Sequence, residues 1–359
     1  MKLLLKLLAL ISVTLFILSC DSTEPTDPPI NNPAKWEVIP ALADVDVRYI
    51  LKFDNTIYLT GLVTGKSYRG VIWKTTDGNN WTLMRTFEKA VGPLAINGDS
   101  LYCLGDSLFR YIILLNKWEN VCQPYPLNTD VQAVSEMIFL GDSLYAFQNY
   151  FEADCVYKIR FNGEVENLAS FYSYRYFAKL IKINSHDNWC YARGRYHSGG
   201  FYIFNMDGYS VLTDGLIPEV IYNQPTNSME IRNDTLFAGF RYPGIIKYLD
   251  QYNVWRNYTD SIPCVLDSTS LNYIEPTEIT CIRDRMFVST DVFGVMEWRS
   301  GVGWLNLSEG LKTYYVQNYK VYFPIVFLEN IDQTLIAAYG APGYAAWGGN
   351  GVYRLKINN

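Results

Sequence analysis

The sequence predicts an all-β chain: a single seven-bladed β-propeller whose last blade is closed by the N-terminal strand. Three observations predict it. Short β-rich runs alternate with Gly, Asn and Asp turns, and no long apolar helical pattern interrupts them. A polar turn followed by an apolar pair recurs seven times, at spacings of 43 to 50 residues. The seventh unit lacks a fourth strand, while a spare strand stands ahead of the first unit.

The recurring line is the second strand of each unit, strand b. It reads Asn55-Thr-Ile-Tyr58, Asp99-Ser-Leu-Tyr102, Asp142-Ser-Leu-Tyr145, Asp187-Asn-Trp-Cys190, Asp234-Thr-Leu-Phe237 and Asp284-Arg-Met-Phe287. The last copy, Asp332-Gln-Thr-Leu-Ile336, carries one extra residue. An apolar run precedes each copy and makes strand a, as in Ser135-Glu-Met-Ile-Phe-Leu140. Strand c often opens on Gly, at Gly70, Gly200, Gly244, Gly294 and Gly351. Strand d often carries Trp, at Trp81, Trp118, Trp255 and Trp304. Four strands in roughly 40–50 residues make one propeller blade.

The seventh unit stops at strand c, Gly351-Val-Tyr-Arg-Leu-Lys-Ile357. Lys35-Trp-Glu-Val-Ile39 matches strand d of the second unit, Lys117-Trp-Glu-Asn-Val121. Supplying that strand from the N-terminus closes the ring and removes exposed edges. An open stack of separate sheets is the competing arrangement. The propeller spans residues 35–359.

The first nineteen residues predict an export signal. Lys2 and Lys6 lead into the apolar run Leu7 to Leu18, shorter than the about twenty residues that span a bilayer. The run ends Ile17-Leu18-Ser19-Cys20, which resembles the bacterial lipobox, with Leu18 larger than the usual residue. That resemblance implies lipidation at Cys20 and a membrane partner. Residues 20–34 carry four prolines and three acids, the composition of an extended tether. The acids after Cys20 resemble the surface-export signal of Bacteroidetes-type lipoproteins. Asp21 also resembles an inner-membrane retention signal of enterobacteria. The Tyr- and Asn-rich body sides with the first, so the expected address is the outer membrane, on its surface or periplasmic side.

Gly70-Val-Ile-Trp-Lys-Thr-Thr-Asp-Gly-Asn-Asn-Trp81 resembles the Asp-box, or BNR repeat, of sialidase-like propellers, with a turn one residue shorter. In that family the Asp-box is structural and lies opposite the ligand face, so it carries no activity. Phe240-Arg-Tyr-Pro243 resembles the family's Phe-Arg-Ile-Pro motif, but it stands in blade five rather than before the Asp-boxes. A sialidase would also need an arginine triad and a Tyr–Glu nucleophile pair.

In a propeller the b–c and d–a loops emerge on one face. Those of blade four hold Arg193, Arg195, Tyr196 and His197; blade five adds Arg241 and Tyr242. Blade three offers Tyr150, Phe151 and Glu152, and blade seven Tyr339, Tyr344 and Trp347. The d–a loops add Tyr172, Tyr174, Arg175, Tyr176, Tyr314, Tyr315 and Tyr319. Aromatic plates cover apolar sugar faces, and guanidinium forks bind carboxylate or sulfate. The same residues suit a protein hot spot, and Tyr is also simply favoured in β-structure. The expected function is a binding or interaction module for a glycan or an envelope protein. The alternatives are a glycan-active enzyme, a lyase using His197 as base or a glycoside hydrolase, and a structural subunit of an envelope complex.

The net charge of −6 leaves no basic surplus for nucleic acid. Two histidines and no paired Cys spacing predict no metal and no cofactor. Cys103 and Cys122 fall on strands b and d of blade two, about 10 Å apart, too far to bridge. Most of the six body cysteines read as small buried hydrophobes, with a Cys264–Cys281 pair left open.

If Cys20 is the anchor, Cys20→Ala converts a membrane-fraction protein into a soluble exported one. Detergent partitioning checks it, and unchanged fractionation would refute lipidation.

Overall fold

The structure is a computed structural model. It describes residues 35–63, 69–123, 134–149, 154–171, 177–182, 189–193, 200–205, 208–212, 228–233, 235–239, 244–249, 254–260, 262, 276–290, 293–316, 319–339 and 351–357.

The chain enters through β1 (Glu37–Val38) and a short 3-10 turn, Pro40–Leu42. Blade one is β2 (Val45–Phe53), β3 (Thr56–Val63), β4 (Gly70–Thr75) and β5 (Thr82–Thr86). Blade two is β6 (Leu94–Asn97), β7 (Ser100–Leu104), β8 (Leu108–Ile112) and β9 (Lys117–Cys122). Blade three is β10 (Val134–Leu140), β11 (Ser143–Asn149), β12 (Asp154–Ile159) and β13 (Val165–Phe171). Blade four is β14 (Phe177–Lys182), β15 (Trp189–Arg193), β16 (Gly200–Asn205) and β17 (Gly208–Leu212). Blade five is β18 (Met229–Arg232), β19 (Thr235–Gly239), β20 (Ile245–Leu249) and β21 (Val254–Asn257). Blade six is β22 (Pro276–Ile282), β23 (Arg285–Thr290), β24 (Gly294–Arg299) and β25 (Gly303–Asn306). A hairpin, β26 (Thr313–Val316) and β27 (Tyr319–Tyr322), precedes blade seven, which holds β28 (Ile325–Ile331), β29 (Thr334–Tyr339) and β30 (Val352–Lys356).

Each blade is an antiparallel four-stranded sheet in chain order, except the seventh, whose order is β1-β30-β29-β28. Glu37 pairs with Arg354 and Val38 with Tyr353, so the N-terminal strand is its outer member, as the sequence predicts. The innermost strands β2, β6, β10, β14, β18, β22 and β28 touch in that order, and β28 returns to β2. The seven sheets therefore close into a ring.

The repeated line has a local cause. In six blades strand a joins strand b through a two-residue turn whose first residue has positive φ: Asp54, Gly98, Gly141, Asn233, Arg283 and Asp332. The Asp of the repeat is the second turn residue in three of these, Asp99, Asp142 and Asp284, and Asp234 lies outside the described residues. The last copy is corrected here. It holds no extra residue: Asp332 takes the first turn position, and Gln333 stands where the Asp stands elsewhere.

The recurrent Trp of strand d joins neighbouring blades. Trp304, on β25, donates its indole N–H to the Asp260 carbonyl at the end of blade five, 3.1 Å away. Trp36, just before β1, donates in the same way to Leu307 of blade six, at 2.6 Å. Its backbone N–H bonds the Glu309 carbonyl at 2.9 Å. The Trp36 side chain is 2% exposed and packs with Phe287, Val295 and Leu311 of blade six and its linker, and with Tyr353 and Leu355 of blade seven. Trp118 meets Phe87 of blade one edge-on at 6.2 Å, with the Arg85 guanidinium over both rings.

The turn between β4 and β5 is built on Asp77. Its carboxylate accepts the N–H groups of Asn79 at 2.8 Å and Asn80 at 2.7 Å, and the Asn80 side-chain amide at 2.6 Å. The Asn80 N–H leads these bonds in holding the Asp77 carboxyl down to about 2. Gly78 sits at φ 70, where a Cβ would lie 3.0 Å from Ile331 and 3.1 Å from Thr334 of blade seven. Asn79 accepts Arg354 at 2.7 Å. This turn is thus structural and docks blade one on blade seven. Cys103 and Cys122 are free thiols on β7 and β9, as the spacing requires. Cys281 is also a free thiol, pushed up to about 12 by burial, so it forms no bridge to Cys264.

Removing Lys35 to Ile39 strips blade seven of its outer strand. Trp36→Ala alone should cost about 3–5 kcal/mol, whereas deleting Asp21 to Asn32 should leave stability unchanged. Denaturant unfolding of the three variants checks this; equal midpoints for both deletions would overturn N-terminal closure.

Candidate functional site

The b–c and d–a connections share one face, and the start of each innermost strand opens onto it. Five of these strands bulge there. The register slips between Val47 and Tyr49, Val134 and Glu136, Phe177 and Leu180, Pro276 and Glu278, and Ile325 and Phe327. A bulge adds a residue to one strand and re-aims its side chains. Tyr49, Glu136, Glu278 and Phe327 each follow the slip in their strand.

Tyr49 of blade one donates its hydroxyl to the Glu136 carboxylate of blade three. The bond passes over blade two, whose inner strand is short. Pro93 has no N–H for a ladder, and β6 starts only at Leu94. The Gly92 carbonyl turns instead to the Thr60 hydroxyl at 3.1 Å. Phe327 of blade seven meets the Tyr49 ring edge-on at 6.4 Å. Burial, then Glu136, then Glu278 and Glu329, push the Tyr49 phenol well above its usual range. Four blades thus converge on one phenol. Nearer the a–b turns, Lys52 bonds Asn330 at 2.9 Å, and Asn330 bonds Thr280 at 2.6 Å and the Cys281 carbonyl at 3.0 Å.

On the rim, Tyr314, Tyr315 and Tyr319, expected in a d–a loop, stand in the β26–β27 hairpin. Tyr315 is 73% exposed. Tyr314 packs on Phe323 at 4.7 Å, Phe323 on Tyr339 at 6.0 Å and Tyr339 on Tyr353 at 5.2 Å. Tyr339 is therefore no ligand residue, which corrects the expectation. It is 1% exposed, and its hydroxyl accepts the Lys312 N–H at 2.7 Å. Burial and then Tyr353 push its phenol up. The hairpin escaped the sequence reading because Thr-Tyr-Tyr-Val and Tyr-Lys-Val-Tyr are strand-forming runs too short to separate from a linker.

The side chains of Arg193, Arg195, Tyr196, His197, Arg241, Tyr242, Tyr344 and Trp347 lie outside the described residues, with Cys20, Phe240-Arg-Tyr-Pro243, Tyr150, Phe151, Glu152 and Tyr172 to Tyr176. Arg193 ends β15 by its backbone, pairing with Gly200 and so opening the b–c connection of blade four. Among the described residues no group of His, Cys, Asp and Glu has the arrangement of a metal site.

In blade six the side chain of Glu297 is fully buried. Burial pushes its carboxyl up, but the forks of Arg285 at 2.5 and 2.9 Å and Arg299 at 2.8 and 3.0 Å outweigh it and hold it below its usual value. Burying a charge demands such pairing, which makes this knot structural.

No protein-family model and no curated protein matches the chain. Solved structures do. YCF48 bound to D1 peptide aligns with TM-score 0.58 at 10% identity, over 91% of this chain and 98% of that one. The WD40 β-propeller domain of Doa1 gives 0.51 at 10%, over 91% and 98%. Sqt1 of Saccharomyces cerevisiae gives 0.50 at 11%, over 92% and 100%. The chain has the β-propeller fold. At these identities the likeness speaks of fold alone.

The raised Tyr49 phenol stabilises the ring fully below about pH 10, and that contribution is lost as pH climbs past it. The melting-temperature gap between the native chain and Tyr49→Phe should therefore narrow from about pH 9 to about pH 11. A constant gap would show that Tyr49 does not hold its proton against the carboxylates.

Proposed function

We propose that the protein is a lipid-anchored, envelope-exposed binding module, held at the outer membrane through Cys20. Its loop-rich face takes an anionic macromolecule, a glycan or an envelope protein. The observation that carries this reading is the build of that face. Tyr49, Glu136 and Phe327, from blades one, three and seven, meet within the ring. The rim is stiffened from below by the stack Tyr314, Phe323, Tyr339 and Tyr353. A stiff aromatic surface loses little entropy on binding.

Arg193, Arg195, Arg241 and Tyr242 supply the anion-directed chemistry, since guanidinium forks bind carboxylate or sulfate in two places at once. YCF48 bound to D1 peptide, a propeller with a peptide ligand, is a precedent for the protein branch.

Titration with polygalacturonate and a sulfated glycan, followed by calorimetry, tests the reading. Each buried charged hydrogen bond contributes on the order of 1.5–3 kcal/mol. Arg195→Ala or Arg241→Ala should then weaken binding about tenfold or more, while Asp77→Ala lowers only the melting temperature. His197→Ala decides the class: a binder loses little, whereas a lyase loses uronate-product absorbance with binding retained. An affinity that ignores the arginines would refute the anion-directed face.

A further inference from the structure

The chain joins the ring at a defined place. Within a blade, strands a and c end on the face of the a–b and c–d turns, and strand d starts there. β1 is strand d of blade seven, so Lys35 and Trp36 stand where a c–d turn stands in the other blades. Residues 21 to 34 precede them, and a proline-rich chain of that length reaches about 45 Å. An anchor at Cys20 thus attaches to the c–d side of the ring. The loop-rich face, with Tyr315 of the β26–β27 ribbon, lies on the opposite side.

The c–d side carries exposed apolar tips. In the turn between β8 and β9, Leu114 is 81% and Leu115 66% exposed. Val302, in the turn between β24 and β25, is 62% exposed, and Phe161, between β12 and β13, is 44% exposed. These tips are held in place. The Leu115 N–H bonds the Ile112 carbonyl at 3.2 Å, the Asn116 N–H bonds the Ile113 carbonyl at 3.3 Å, and Asn116 accepts the Tyr111 hydroxyl. The Val302 N–H bonds the Arg299 carbonyl at 3.1 Å, and Phe161 stacks on Tyr102 at 5.7 Å. The tips belong to blades two, three and six, so they are spread around the ring rather than gathered in one patch. They share one face, and a flat partner reaches all of them where a single helix or strand reaches one. On the same face the a–b turns expose Asp54, Asp99, Asp142, Arg283, Asp284 and Asp332. The occupant must therefore accept charge beside leucine. A bilayer surface does so, because its polar headgroups lie directly over acyl chains.

We infer that the c–d side docks on a lipid bilayer, with Leu114, Leu115 and Val302 entering the boundary between headgroups and acyl chains. A tethered surface meets its membrane at an effective concentration of roughly millimolar, so a few side chains suffice to orient it. The loop-rich face then points away from the bilayer and toward a ligand. This deepens the proposed function, and it rests on the reading of the protein as membrane-anchored at its N-terminus.

The test holds the purified protein, with a histidine tag in place of residues 1–20, on phosphatidylcholine vesicles bearing a nickel-chelating headgroup. The tag substitutes for the lipid and keeps the natural tether. p-Benzoylphenylalanine replaces Leu115 in one variant and Tyr315 in another, and lipid adducts are counted by mass spectrometry after irradiation. Adducts should form at position 115 and stay at the unirradiated background at position 315. Adding Leu114→Asp and Val302→Asp should cut those at 115 by at least about tenfold. The melting temperature should not change, since both side chains are exposed. If the double change disturbs folding, the ratio of adducts at 115 to those at 315 in the otherwise native chain still decides. Equal yields at the two positions, or an excess at 315, overturn the inference. So does a protein–protein cross-link from position 115, since a second copy would then cover the tips. Detergent partitioning of the native chain reports on Cys20 lipidation separately, so the anchor and the docked face fail independently.

Discussion

Everything in the ring depends on one shared sheet. The C-terminal β30 is paired on its outer side by the N-terminal β1, so the two ends of the chain close blade seven together. Ile39 continues the pairing through a 2.8 Å bond to the Val352 carbonyl. Trp36, Ile39 and Leu42 are all buried within this closure. Each contributes about 1.5–3 kcal/mol of apolar burial that exists only when the ring is shut. Among the described residues, the segment through β1 is the covalent tie between blade seven and blade one. The first and last blades must be tied by the chain itself, or by contacts across their seam.

Those contacts are present, and they divide the molecule by face. On the c–d side, the Asp77 turn of blade one leans on Ile331 and Thr334, while Asn79 takes Arg354. On the side of the b–c and d–a loops, bulged inner strands deliver Tyr49, Glu136 and Phe327 to the axis. On the first side the Asp77 turn is tight and its carboxylate is filled by Asn79 and Asn80. The second holds the long connections and the ribbon. Stability and recognition therefore use different parts of the same repeat, so loop changes on one side need not disturb the seam on the other.

Most of this fold was legible because a blade must repeat its punctuation. The two-residue a–b turn needs a residue tolerant of positive φ, and Asp54, Asn233 and Asp332 supply it without glycine. The spare Lys35-Trp-Glu-Val-Ile39 run was readable because it matches Lys117-Trp-Glu-Asn-Val121 of blade two, and because Trp81, Trp255 and Trp304 mark the same strand in three further blades. What was not legible was the purpose of that Trp. Its indole N–H reaches a carbonyl of the preceding blade, a long-range contact with no sequence period. Tyr339 misled for a similar reason. A Tyr at the end of strand b looks like a loop residue, yet the Lys312 N–H, far off in sequence, draws its hydroxyl inward. The Tyr49–Glu136 bond was also hidden, because it joins residues 87 positions apart in two different blades.

The ribbon shows how a repeat fold acquires a distinct surface. Between blades six and seven the chain does not cross directly; it adds β26 and β27 and then returns to Ile325. An isolated two-stranded hairpin is marginal in water, so this one needs support from elsewhere. The support comes from the blade that the N-terminus completes: Tyr339 and Tyr353 belong to β29 and β30, and Tyr353 pairs with Val38 of β1. The strand that closes the ring thus also braces the platform beneath the ribbon. Loss of closure would loosen Tyr353, then Tyr339, then Phe323 and Tyr314. The order of these contacts couples the integrity of the ring to the stiffness of the rim that meets a ligand.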